Sequence, residues 1–170
     1  MLSNMCSSGT IPNLLDMDTI SRGNAAEAAV LAALIRADIA VFIPFGGGIP
    51  FDLAAAMPPV GDLVRIQVKS GRLRKGCVEF NTRTTDHGRG RQTYEGKADV
   101  IAVHLPEPDS VFVVPVDECT ANRGYLRVNK PRNNQQRRIR FAVDYTLAGW
   151  IDSLRSRIPV EQGDDPAPAR

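Results

Sequence analysis

Six short extended runs between Ala40 and Val116, each closed off by turn-forming residues, leave this chain few ways to fold. They are Ala40–Pro44, Phe51–Ala56, Leu63–Lys69, Cys77–Thr82, Val100–His104 and Val111–Val116. Between them stand breaks such as Gly46-Gly47-Gly48 and the turn Met57-Pro58-Pro59-Val60-Gly61-Asp62. Ahead of the runs, Val30, Leu31, Leu34 and Ile35 recur at helical spacing within Asn24–Asp38, and Ser21 or Asn24 is the expected cap. Behind them, Tyr145–Arg155 places Leu147, Trp150, Ile151 and Leu154 on one helical face. A helix, a run of mostly antiparallel strands and a late helix predict an α/β fold.

The 170 residues suffice for one apolar core and leave little for a second. The expected division is a flexible leader over 1–18, one domain over 19–157 and a disordered tail over 158–170, where Gly, Asp and Pro dominate. No apolar run is long enough to span a bilayer and no secretory signal opens the chain, so a soluble, cytoplasmic and nucleoid-associated protein is expected. Cys6, Cys77 and Cys119 share no metal-type spacing and are read as reduced thiols. The net charge is +2, yet Arg65 to Arg140 holds 16 Lys or Arg against 8 Asp or Glu, so the rest of the chain carries −6. That asymmetry suits either a polyanionic partner or a solvated basic face.

Two anomalies break the apolar pattern. Glu27 lies three, four and seven positions before Val30, Leu31 and Leu34, so a carboxylate projects from the helix's apolar stripe. The competing reading leaves Glu27 solvated near the helix start, where the dipole favours it. In Leu63–Lys69, alternation puts Gln67 and Lys69 on one face and Val64, Ile66 and Val68 on the other. Asp52 sits on the preceding run, and pairing across the turn brings it beside them. An acid, an amide and an amine then converge. Asp52, the Gln67 amide oxygen, the Val68 carbonyl and Glu27 offer the oxygen ligands that Mg²⁺ takes, and Lys69 can hold the attacking water of a phosphodiester hydrolysis.

Pro50-Phe51-Asp52 followed by Gln67-Val68-Lys69, with helical Glu27 upstream, resembles the bipartite motif of PD-(D/E)XK nucleases, with Gln in place of the second acid. The likeness extends through Gly23-Asn24, Ile43-Pro44-Phe45-Gly46, Ser70-Gly71-Arg72, Phe80-Asn81-Thr82, Asp99, Val114-Pro115-Val116-Asp117, Asn133-Asn134-Gln135 and Asp144-Tyr145. Over roughly residues 22–147 it is similar to the group I intron-associated homing endonucleases of that superfamily. The resemblance implies a restriction-endonuclease-like core, a mixed and mostly antiparallel sheet flanked by helices. It also implies cleavage of double-stranded DNA with Mg²⁺, or Mn²⁺ as a substitute, by a homo-oligomer, dimer or tetramer, that presents a site to each strand. Glu27, Asp52, Gln67 and Lys69 are the implied catalytic set, with Asp52, Gln67, Val68 and Glu27 at the metal.

Arg83 to Tyr94 is basic, polar and glycine-containing, without apolar periodicity, and reads as a loop able to follow phosphates or enter a groove. Arg83, His87, Arg89, Arg91 and Tyr94 are its expected DNA contacts. His87 is a general base or, in the preferred reading, a phosphate ligand. His104 ends an apolar strand and reads as structural. A second basic run, Arg123 to Arg140, mixes charge with amides and is assigned to DNA or to a subunit contact, with Arg132, Asn134 and Gln135 at the DNA. A junction resolvase, a repair or defence nuclease, and a DNA-binding module without turnover stay open as alternatives.

Overall fold

The structure is a computed structural model in which residues 17–56, 62–86, 90–119, 121–129 and 139–156 are described. The leader, apart from Met17 and Asp18, and the tail lie outside them, as do Cys6, His87, Arg89, Arg132, Asn134 and Gln135. In chain order the elements are α1 (Thr19–Arg36), β1 (Val41–Phe42), β2 (Leu53–Ala56), β3 (Leu63–Ser70), β4 (Arg72–Arg74) and β5 (Cys77–Asn81). There follow β6 (Thr84–Asp86), β7 (Gly90–Gln92), β8 (Val100–Leu105), β9 (Ser110–Pro115), β10 (Arg123–Arg127) and α2 (Leu147–Arg155). None of the described helices is long and apolar enough to cross a membrane.

α1 begins five residues before the expected Asn24, and its cap is Asp18 rather than Ser21 or Asn24. Asp18 Oδ1 accepts the main-chain N–H groups of Ile20 at 2.8 Å and Ser21 at 2.9 Å, meeting donors that the first helical turn cannot satisfy. These bonds, that of Ser21 first, hold the Asp18 carboxyl below its ordinary value. Asp38, in the left-handed region at φ 60°, turns the chain out of the helix. Ala26, Val30 and Leu34 recur every fourth residue and are buried, and each fully buried Val or Leu contributes about 1.5–3 kcal/mol.

A five-stranded sheet in the order β1-β2-β3-β8-β9 forms the centre; β3 and β8 run parallel and the other pairs antiparallel. α1 and α2 cover one face, where Ala26, Val30, Leu34 and Ile151 pack on Ile66, Val68, Val100 and Ala102. The opposite face is covered not by a helix but by a second antiparallel sheet, in the order β10-β5-β4. Its Val78, Phe80 and Leu126 pack on Ile101, Val103 and Val114. β8 lies between the layers, and all six of its residues are buried, five apolar ones and His104, as a strand covered on both faces requires.

The sheets also correct one sequence reading and complete another. Arg83 to Tyr94 is not a featureless loop: β6 and β7 pair antiparallel from Thr84↔Gln92 to Asp86↔Gly90. The start of the second basic run is strand β10, in register with β5 from Arg123↔Asn81 to Arg127↔Cys77. Polar residues at alternate positions concealed it, since an exposed strand face leaves only half the apolar signal of a buried one. Gly124 is required in that strand, because a Cβ there would overlap the Phe80 ring at its Cζ.

Candidate active site

Pairing of β2 with β3 stops at Leu53↔Ile66, with one last main-chain bond from Asp52 N to Ile66 O at 3.0 Å. The next β3 donor on that edge, the Val68 N–H, has no strand to meet. Asp52 takes its place: Oδ2 accepts the Val68 N–H at 2.7 Å and the Gln67 Nε2–H as well. Because a strand residue's N–H and C=O leave on the same side, the Val68 carbonyl faces the same gap. Gln67 Nε2 is committed to Asp52, so Oε1 is the atom free to act as a ligand.

Glu27 and Lys69 reach this gap from different sides of the sheet. Glu27 comes from α1, on the face of Ile66 and Val68. Lys69 leaves β3 towards the opposite face, and its Nζ lies 4.9 Å from the centroid of the Tyr94 ring. The termination of β2 opens the sheet edge, so that Glu27, Asp52, Gln67, Val68 and Lys69 line one cavity of about 450 Å³. Burial raises the Glu27 carboxyl above its ordinary value; the charge of Asp52 adds to that rise and Lys69 opposes it. The Asp52 carboxyl is also raised, burial outweighing the Val68 N–H, the charge of Lys69 and the Gln67 amide. Two carboxyls that desolvation makes reluctant to ionise suit a cation between them.

Among the described residues no three His, Cys, Asp or Glu gather at metal-ligating distance. The available donors are instead two carboxylates, an amide oxygen and a main-chain carbonyl, all hard oxygens. That set fits Mg²⁺, which keeps several waters and needs few carboxylates, and would suit a thiophilic metal poorly.

The expected DNA contacts fare differently. Tyr94 is corrected: it is 4% exposed, packed with Phe80 and Ala98, and contributes its ring to Lys69 rather than a surface to a ligand. Arg83 is half-buried just before β6, and Arg91 lies on β7. His104 is buried with Nε2 2.8 Å from Asp109 Oδ1, in keeping with a structural role. Cys77 and Cys119 are free thiols. Sequence reasoning assigned no role at the site to Thr19 and Arg22 from the first turns of α1, or to Arg72, Arg74, Glu79 and Arg123 from the smaller sheet, yet all line the cavity. The alternation Arg72-Leu73-Arg74 and Cys77-Val78-Glu79-Phe80-Asn81 was the available signal for the sheet residues.

The sequence profile of the PD-(D/E)XK endonuclease family matches residues 17–148. No curated protein sequence matches significantly. Among solved structures, that of a bacterial homing endonuclease, I-Ssp6803I, superposes with a TM-score of 0.64, covering 82% of this chain and 95% of the other at 23% identity. At that identity the likeness is one of fold.

Proposed function

The chain belongs to the PD-(D/E)XK endonuclease family, and from that premise we propose that it is a homing-type endonuclease that hydrolyses phosphodiester bonds of double-stranded DNA with Mg²⁺. The observation that carries this reading is the Asp52 carboxylate, held by the Val68 N–H at 2.7 Å where β2 ends, in one cavity with Glu27, Gln67 and Lys69. A surface salt bridge needs no such arrangement, whereas phosphodiester hydrolysis needs each part.

Asp52, Gln67 Oε1, the Val68 carbonyl and Glu27 would hold the ion. When bound, it supplies polarisation of the scissile phosphate and a lowered pKa for a coordinated water. The Val68 N–H and the Gln67 amide fix the rotamer of Asp52, so the carboxylate is placed before any ligand arrives. Lys69 Nζ orients the attacking water and donates to the oxygen on which charge develops. Tyr94 fills the other side of Lys69 and limits where that nitrogen can go. Because the strands of a duplex run antiparallel, a homo-oligomer with a twofold axis would present one such site to each.

Purified protein should nick supercoiled plasmid in Mg²⁺ and not in EDTA. Asp52→Ala and Lys69→Ala should each lower the rate by at least about a hundredfold while duplex affinity in EDTA is kept. Cutting that survives both substitutions would overturn the site. Binding without any cutting by the unsubstituted protein would leave the fold as a DNA-binding module.

A further inference from the structure

The smaller sheet turns one face into the core and the other outward, and the outward face begins at the candidate active site. β3 passes through Gly71 directly into β4, so Arg72 follows Lys69 by three residues and Arg74 by five. β4 and β5 form a two-stranded hairpin closed by Lys75 and Gly76, both at positive φ (48° and 73°), the geometry of a tight hairpin turn. The inward residues of β5 and β10, Val78, Phe80 and Leu126, are 2% exposed or less, whereas β4 stands clear of the core, its Leu73 49% exposed. Outward, Arg72 and Arg74 are exposed on β4, Asn81 on β5, and Arg123 and Tyr125 on β10.

The charges on this face are unequal. Glu79 is its one acid, and it is engaged by Arg123 across the β5–β10 pair. Among the described residues neither Arg72 nor Arg74 has an acidic partner. Arg72 stands opposite Glu79 in the β4–β5 register, but the Glu79 carboxylate is bridged by Arg123, and Arg74 stands opposite Cys77, so internal pairing leaves the Arg74 charge without an acid across the strand. An anionic partner supplies the missing charge, and both arginines line the cavity that holds Asp52 and Lys69.

We propose that the β4–β5 hairpin lies in the major groove of duplex DNA beside the scissile phosphate, with Arg72 and Arg74 reading base edges. A two-stranded ribbon fits that groove, and the arginine fork matches the paired acceptors of guanine. The strand reaches at most about 17 Å from Lys69 to Arg74 at its ordinary rise. The bases read therefore lie close to the cut. The proposal deepens the reading of this site as one that acts on duplex DNA.

Its test is a binding selection from a randomised duplex library in EDTA, where the outcome is independent of whether the site cuts; nicking in Mg²⁺ judges that separately. The unsubstituted protein should enrich a sequence. Arg72→Ala and Arg74→Ala should each erase preference at one or two adjacent positions, with about a ten- to hundredfold drop in discrimination there. Arg155→Ala, at the end of α2, should return the original sequence, and circular dichroism should report all three variants folded. The proposal is overturned if the unsubstituted protein enriches nothing, or if Arg72→Ala and Arg74→Ala return the original preference. Weakening that is uniform across sequences overturns it equally, since it would mean phosphate contact alone.

Discussion

Lys69 Nζ stands 4.9 Å from the centroid of the Tyr94 ring, and Tyr94 is itself 4% exposed. A cation over an aromatic face at this range gains about 0.5–2 kcal/mol, the upper part when water is excluded. The ring is thus a positioning element for the nitrogen proposed to hold the attacking water. Tyr94→Phe keeps the face and should cut within about twofold of the unsubstituted rate. Tyr94→Leu should lower the single-turnover rate about 2- to 30-fold, with duplex affinity in EDTA unchanged. A purely structural Tyr94 would instead lower thermal stability and leave the single-turnover rate of the folded protein in place.

The raised carboxyls of Glu27 and Asp52 set a second expectation. In the unfolded chain these groups titrate near 4.5 and 3.8; in the folded protein burial is the leading cause that lifts both. The folded state therefore binds more protons above those values, and stability from these two groups is fully present below them and lost as pH rises through the folded values. Glu27→Gln removes that loss. It should raise the melting temperature at neutral pH, with the gain vanishing in acid, while it slows cutting in Mg²⁺. Mg²⁺ should stabilise the unsubstituted protein at neutral pH more than the Glu27→Gln variant, because ligand binding to the folded state adds directly to its stability. Scanning calorimetry with and without Mg²⁺ reads both; equal shifts in the two proteins would remove Glu27 from the metal.

The elements that bury a continuous stripe were legible in the sequence: β3, β8 and β9 lie within a residue of the expected runs. Elements with one wet face were legible only in part. β4 and β10 alternate polar with other residues and β6 and β7 are only three residues long, and a local scan takes these for loops until a partner strand is known. The start of α1 was hidden because Ser21 and Asn24 are themselves cap-forming residues, whereas the cap that the fold uses, Asp18, lies further back. At the site, alternation in Leu63–Lys69 correctly put Gln67 and Lys69 on one face. What alternation could not convey is that Glu27 approaches from the other face, and that they share a cavity only because β2 stops at Leu53. The termination of a strand is a tertiary fact, and so is the burial of Tyr94, whose neighbours in sequence are polar.

Asp99 titrates in the opposite direction to the site carboxyls. Its Oδ2 accepts the Arg65 main-chain N–H at 2.7 Å and Nε–H at 3.1 Å, and its Oδ1 accepts from Nη2 at 2.7 Å, tying the start of β8 to β3. The bond from the Arg65 side chain is the leading cause that holds its carboxyl below the ordinary 3.8. A depressed value means stability present above 3.8 and lost as pH falls through the folded value. Both side chains are more than a third exposed, so solvent screening keeps the contribution small. Asp99→Asn should lower the melting temperature slightly at neutral pH and converge with the unsubstituted protein in acid. A difference that persists unchanged at low pH would assign the effect to packing instead of charge.

Gly124 offers the sharpest test of how the smaller sheet is seated. It faces inward opposite Phe80 on β5, and any Cβ there would overlap the ring, itself 2% exposed among Val78, Ile101 and Val114. The ring cannot retreat without disturbing the contact between the two sheets. Gly124→Ala should therefore cost about 1–3 kcal/mol, the range for overpacking a filled core. Phe80→Leu makes room for the new methyl, so Gly124→Ala combined with Phe80→Leu should be more stable than the sum of the two single losses predicts. Chemical denaturation of the four proteins measures the coupling. Strict additivity would mean that Gly124 and Phe80 do not meet.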